Sequence, residues 1–393
     1  MSTNEFVDVV VIGGGAMGSA AAWQLSQRGR EVVLLERFTP GHKEGASHGA
    51  SRNLNLSYSE PNYLSLLQRA VPLWSELEQE TGTSVFDEVG VVTHGAHPSL
   101  TGVRDALDAH GFAAEILSAE AASERWGGMR FETDVLWTPQ AGRLNADVSV
   151  AAMQEAAAER GADIRHGVRV ESIRVAADDR VVVTLDGGET ITTSSVVVAA
   201  GAWTRSLLEG IVDLPSLVVT QEQPAHFQLV DASNAEAFAT DWPGFNHLPG
   251  GSDEWWYSNI YGMYTPGEGI KAGWHGVGPV VDPDHRDYQP EPAQLDALIR
   301  YVREWIPAAN ADTAEAVSCT YTTTKDENFV LDRVGPITIA AGFSGHGYKF
   351  TTAVGEVLAE LVTGEREPDP FFSLTRDRGT VGRPGSSLWT VDR

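Results

Sequence analysis

The chain contains one cysteine, Cys319, among 393 residues. A single thiol cannot close an internal disulfide or assemble a thiolate metal cluster, so covalent staples are excluded and a reducing compartment fits. Lysine is almost as scarce, with Lys43, Lys271, Lys325 and Lys349 as its whole complement. Arginine supplies every other strong cation, and the formal net charge is -26. Such a surface repels phosphate backbones and anionic headgroups, which argues against nucleic-acid and membrane partners. Adaptation to high salt and a genome favouring arginine codons are two open origins of this composition. Long apolar runs are missing as well: Val9 to Ile12 passes straight into glycines, far short of a bilayer span. Met1 to Phe6 lacks the basic and apolar segments of a secretion signal. The expectation is a soluble, cytoplasmic monomer or small homo-oligomer that binds no metal.

Length and an apolar content of 42% suffice for two domain cores. The first element reads as a strand, Val7 to Ile12, apolar on both faces as a central parallel strand should be. It enters Gly13-Gly14-Gly15-Ala16-Met17-Gly18, then a helix from Ser19 through Ser26, then a second strand, Glu31 to Leu35, ending at Glu36. Gly13, Gly15 and Gly18 satisfy a dinucleotide-binding fingerprint: a tight turn, close backbone approach to a pyrophosphate, and close helix–strand packing. A pyrophosphate then rests on the helix N-terminus, and Glu36 is placed to accept from ribose hydroxyls.

Further along, 146–161 reads as a helix with Val148, Ala151, Ala152 and Ala156 on one face. Val168 to Val175 and Val181 to Leu185 alternate, and Ser195 to Trp203 reads as a buried strand that ends in small residues. The segments near 86–144 and 217–308 differ in character, with short alternating strands, prolines and crowded aromatics. Trp242, Trp255, Trp256, Tyr257, Tyr261, Tyr264 and Trp274 form either an aromatic pocket or, for most of them, the core of a β-rich domain.

Four motifs join the fingerprint: Ser47-His48-Gly49-Ala50-Ser51-Arg52, Gly269 to His275, Cys319-Thr320-Tyr321, and Gly342 to Phe350. Together they resemble the monomeric sarcosine oxidase and N-methyltryptophan oxidase family, FAD-dependent amine oxidases of the D-amino-acid oxidase-like superfamily. The resemblance implies an α/β protein in which a Rossmann-type FAD-binding domain (1-85, 145-216 and 309-376) joins a discontinuous, mostly antiparallel β-sheet substrate domain (86-144 and 217-308). An irregular tail, 377-393, follows. It further implies an oxidase of secondary amines, of the N-methyl or N-alkyl amino acid kind, that uses oxygen and releases hydrogen peroxide. Alternatives are an oxidase of a cyclic imino acid or Amadori-type amine, and a flavin-binding protein without catalysis.

Residue by residue, Cys319 matches the thioether anchor of FAD. A thiol doing that chemistry needs partial exposure and nearby positive charge, for which Arg52, His48 and Lys349 are candidates. Without the resemblance, a lone cysteine is a small buried hydrophobe. Lys271 alternates onto one strand face with Gly273 and His275, and matches the lysine that meets oxygen; a solvated edge-strand lysine is the alternative. Lys349 matches a partner of the substrate carboxylate, Arg52 and Ser51 a flavin-side pair, and Gly345, His346 and Gly347 the turn whose backbone N–H groups face the pyrimidine edge of the flavin. Tyr261 and Tyr321 match pocket hydroxyls, with Met263 beside the substrate. His275 and His346 match histidines at or near the site, or else are satisfied structural histidines. One position departs: where the family carries a carboxylate-clamping arginine, this chain has Asn55. A neutral amide offers no bidentate, charge-assisted grip, so a larger or less anionic amine enters consideration.

Overall fold

The computed structural model describes residues 5–97, 99–177, 179–250 and 255–376. The tail expected at 377-393 lies outside the described residues. Two large sheets organise the chain. In the first, Glu5–Ile12 runs parallel between Val32–Glu36 and Thr190–Val198, with Asp163–His166 beyond the former. Strand residues are buried on both faces for a reason visible in their partners. Val9, Val11, Val32 and Leu34 enter a core shared with the helices Ala16–Gln27, Ala146–Glu159 and Thr351–Thr363. Val7, Val10, Ile12, Val33 and Leu35 enter a second core with Ile173, Val181, Val183 and Ile191.

Thr190–Val198 serves both arrangements. Its first half pairs antiparallel with Val181–Leu185, while Val196, Val197 and Val198 lie parallel to Ile337–Ala341. The strand stops at Val198, short of Trp203, and a 3-10 turn follows at Gly201–Trp203, where Gly201 takes a φ of +52°. The first helix starts at Ala16, earlier than Ser19, because Gly15 is already its N-cap. Helix Ala146–Glu159 is capped by the Asn145 side chain, and it buries Ser149, Ala152, Met153, Ala156 and Ala157. That face is rotated from the expected one: Ala151 is exposed and turned with Val150 toward a cavity. A Cβ on Gly355 would sit 2.5 Å from Ala20 Cβ, so this glycine lets helices Thr351–Thr363 and Ala16–Gln27 approach closely.

The second sheet has eight strands in the order Glu315–Ala316, Ala225–Phe227, Gly269–Trp274, Ile260–Thr265, Gly244–Leu248, Val91–Gly95, Val135–Thr138, Glu115–Leu117. Alternation divides its faces. Phe227, Ile270, Ala272, Trp274, Tyr264, Ile260 and Phe245 form an aromatic core with Trp242 and Tyr301. The opposite face carries His226, Lys271 and Met263 in one cross-strand row, and Gly273, Tyr261 and Asn246 in the next. The crowded aromatics are therefore mostly core, and Tyr261 is the one that reaches the cavity. The short strand pair Leu217–Glu222 and Cys319–Thr324 joins the two sheets. No helix among the described residues is long and apolar enough to cross a membrane.

Candidate active site

A cavity of about 730 Å³ runs between the two sheets. Each candidate catalytic, substrate-binding and cofactor-binding residue lines it except Gly18, whose place is structural. A Cβ on Gly18 would lie 1.8 Å from Gly13 O, and one on Gly13, at φ +104°, would lie 2.5 Å from Ala199 O. Backbone alone fits there. Glu36 accepts from Gly14 N at 2.7 Å and Phe38 N at 2.9 Å, which fixes its carboxylate at the cavity wall. Gly14 was not expected to matter, yet a Cβ on it would meet Glu36 Cβ at 2.8 Å. Ser47 Oγ accepts from Ala16 N at 3.0 Å, tying the next loop to the helix start.

At the far end lies the glycine turn. Gly345, at φ +75°, is covered by the Tyr321 ring, 2.1 Å from where a Cβ would be. His346 is held on both ring nitrogens, by Tyr58 Oη at 3.1 Å and the Glu327 carbonyl at 3.1 Å. Lys349 Nζ donates to Tyr58 Oη at 3.1 Å and to His346 O at 2.8 Å. Behind it Trp74, from helix Pro61–Thr81, donates its indole N–H to Lys349 O at 3.1 Å. Asn55 lines the cavity and accepts from Ser57 N at 3.0 Å. Its neighbours in the cavity wall, Asn53 and Asn246, are also amides, in contact through Asn53 Nδ2 and Asn246 Oδ1.

The sheet wall holds the charged groups. Strand Gly269–Trp274 is interior, with neighbours on both sides, so Lys271 is no edge-strand lysine. Its Nζ donates to Ser51 O at 3.2 Å, and Arg52 Nη1 donates to the same carbonyl at 2.8 Å. The Ser51 hydroxyl is fixed by Thr265 Oγ1 at 2.7 Å. Burial, aided by the Arg52 charge, lowers the Lys271 pKa to about 7. His48 bonds Ser318 O through Nε2 at 3.0 Å. Burial, with Arg52 and Lys271 adding to it, lowers the His48 pKa to about 3. His48 is thus neutral near pH 7 and drops out as a source of positive charge for Cys319.

Cys319 is partly exposed at the cavity wall. Opposite it in register stands Glu222, buried, accepting from Thr220 Oγ1 at 2.6 Å and from Val277 and Gly278 amides. Tyr321 links Tyr261 to His275, with Oη 3.3 Å from His275 Nδ1. Burial raises the pKa of both phenols, so each keeps its proton at neutral pH. The cavity thus presents a glycine-lined stretch for a dinucleotide and a stretch of phenol, imidazole, amide and ammonium groups at the other end. The glycine cradle and the placement of Glu36 fit FAD.

This fold and site define a dinucleotide-cofactor oxidoreductase built from a Rossmann-type sheet and a mostly antiparallel sheet. Residues 8–361 match the FAD dependent oxidoreductase family, DAO. The chain is 33% identical to the monomeric sarcosine oxidase of Bacillus sp. (strain B-0618), over 96% of this chain and 97% of that protein. It is 28% identical to N-methyl-L-tryptophan oxidase of Yersinia pestis (strain Pestoides F), over 94% of this chain and 99% of that protein. Among solved structures, NikD, an unusual amino acid oxidase essential for nikkomycin biosynthesis, matches with a TM-score of 0.81 at 25% identity, covering 94% of this chain and 98% of that one. The chain belongs to the FAD dependent oxidoreductase family, and it is an enzyme that uses FAD.

Proposed function

We propose that this enzyme is an oxidase of secondary amines, of the N-methyl or N-alkyl amino acid class, with oxygen as acceptor and hydrogen peroxide as product. The observation that carries the reading is a buried lysine beside an arginine, lining the same cavity as a partly exposed cysteine. When bound, FAD supplies the acceptor for the hydride equivalent leaving the C–N unit and passes the electrons to oxygen. Gly13, Gly15, Glu36 and the Gly345-His346-Gly347 turn hold it, with Ser51 and Arg52 at its flank and Cys319 as its covalent tether. Lys271 stabilises negative charge as it develops on oxygen, a role suited to an ammonium held in a poorly hydrated site.

On the substrate side, Tyr261 and Tyr321 remain protonated and donate hydrogen bonds, while His275 orients Tyr321. Met263 contributes an apolar wall beside Lys271. Lys349 is the cation available to a substrate carboxylate, because Asn55 cannot add a bidentate grip. Asn53, Asn55 and Asn246 favour a second reading, an amine whose nitrogen substituent carries hydroxyl or other polar groups, as in an Amadori-type compound. A cyclic imino acid fits the same chemistry. The substrate reacts as the neutral amine, since its lone pair supports the departing hydride.

The experiment is anaerobic bleaching of the bound yellow chromophore by N-methyl amino acids, cyclic imino acids and Amadori-type amines, followed by peroxide release on admitting air. Bleaching by at least one secondary amine is expected. A protein that holds FAD but is bleached by none of them, and releases no peroxide, is a binding protein and the proposal fails.

A further inference from the structure

Lys349 is the cation offered to a substrate carboxylate, and a tyrosine sets where its charge sits. The lysine is 6% exposed, and its Nζ donates to Tyr58 Oη at 3.1 Å and to His346 O at 2.8 Å. The ammonium also lies 5.3 Å from the centre of the Tyr58 ring and 5.2 Å from that of Phe350. Its main chain is pinned separately, by the Trp74 indole on Lys349 O. Tyr58 is 5% exposed and lines the same cavity. Its ring sits among Tyr63, His346 and Phe350, at centroid distances of 5.4, 6.0 and 5.5 Å.

The hydrogen bonds through this phenol run in one direction. The Glu327 carbonyl can only accept, so His346 carries a proton on Nε2, 3.1 Å away. In the neutral ring Nδ1 is then an acceptor, and Tyr58 Oη stands 3.1 Å from it. An ammonium can only donate, so Tyr58 Oη accepts from Lys349 and gives its one proton to His346. The order is Lys349 N–H to Tyr58 O–H to His346 Nδ1, and His346 Nε2–H to the Glu327 carbonyl. Bonds in such a chain polarise one another, which adds negative character to the phenol oxygen that meets the ammonium. A phenylalanine would fill the same aromatic space, so the hydroxyl is there for the chain and not for the packing.

We propose that Tyr58 is a positioning residue that determines specificity: its hydroxyl, oriented by His346, holds the Lys349 ammonium where a substrate carboxylate docks. Asn55, three residues earlier and lining the same cavity, brings no second charge, and its Oδ1 is engaged by Ser57 N. A lone cation places a carboxylate in one position only if the cation is itself fixed. Ordering a lysine side chain at the moment of binding costs conformational entropy, and here the ordering is already done in the folded protein. Tyr58 acts through Lys349, so its effect falls on ligands that carry a carboxylate and passes over those that do not.

This inference rests on the carboxylate role proposed for Lys349, and its test separates the two. The probes are isobutyrate and isobutyramide, close in shape and different in charge. Each is titrated into FAD-loaded enzyme, with binding read from the absorbance of the bound FAD. The wild type is expected to prefer isobutyrate, and Lys349→Met to lose that preference. Tyr58→Phe removes one oxygen and leaves the ring in its aromatic setting. It is expected to weaken isobutyrate binding at least about tenfold, the scale of one hydrogen bond to a charged group, and to leave isobutyramide unchanged. A wild type without the preference, or a Lys349→Met variant that keeps it, ends the carboxylate role and the inference with it. A preference lost in Lys349→Met but kept in Tyr58→Phe overturns the inference alone. Equal weakening of both probes in Tyr58→Phe also overturns it, because a hydroxyl that merely supports the pocket wall acts on both alike.

Discussion

The two walls of the cavity are built from different materials. On the dinucleotide wall the work falls to backbone: Gly13, Gly14, Gly18 and Gly345 stand where a Cβ would strike a neighbour, and Glu36 is locked by two amides. On the sheet wall side chains face the cavity in cross-strand rows, and one of them, Lys271, is held near its titration point. Backbone cradles tolerate little change but carry no tunable charge. Side-chain rows can be altered one residue at a time without disturbing the backbone that carries them. The contrast predicts that cofactor retention and turnover respond to different substitutions.

The largest effect is expected where the walls meet. Cys319→Ser should release all yellow colour from acid-precipitated protein, whereas the wild type keeps it; colour that stays with the serine variant places the tether elsewhere. Next, Lys271→Met should slow oxygen-driven reoxidation by about 10²–10³-fold, the scale for removing one preorganised charge from a buried site. Stopped-flow measurement of the two half-reactions checks this, and an equal loss in substrate-driven reduction would end the assignment. Asn55→Arg should raise kcat/KM for small carboxylated amines about tenfold, the lower range for a charge-assisted bond of about 1.5–3 kcal/mol. An unchanged substrate profile removes Asn55 from the pocket.

The smallest effect separates the walls by acid stability. Burial lowers the pKa of His94, behind the sheet wall, to about 3, and that of His226 to about 4. A base whose folded pKa lies below its unfolded value binds fewer protons in the folded state. Stability is therefore lost as pH falls from about 6.5, the unfolded value, toward 3. His94→Leu should shift the midpoint of acid unfolding downward by roughly a few tenths of a pH unit, as followed by circular dichroism; a midpoint that rises or stays put contradicts the burial argument.

Much of the dinucleotide wall was legible because its constraints are local. A strand, three spaced glycines, a helix and a terminal acid occupy one stretch of chain, and each follows from steric limits at named positions. The strand face of Lys271, Gly273 and His275 was legible for a similar reason, since alternation needs no partner. Which residues stand opposite was not. The pairing of Lys271 with Met263 lies across a hairpin of consecutive strands, but its pairing with His226 depends on register with a strand distant in sequence, and no local pattern encodes it. Helix Pro61–Thr81 carried no expectation, although its Trp74 props up Lys349, because its usefulness lies wholly in a contact 275 residues away. The rotated face of Ala146–Glu159 has a simpler cause: alanines occupy several sides of that helix, so apolar spacing alone could not choose among them.

Cys319 also matters for what surrounds a source of peroxide. Once its sulfur is committed to a thioether, no thiol remains anywhere in the chain. The oxidase proposed above, releasing hydrogen peroxide within its own cavity, would then have no cysteine to climb the oxidation ladder. The exposed liability passes to thioethers of another kind: of the five methionines, Met17 and Met263 line the cavity. Ageing under turnover should be written first on Met263, the cross-strand neighbour of the lysine proposed to meet oxygen.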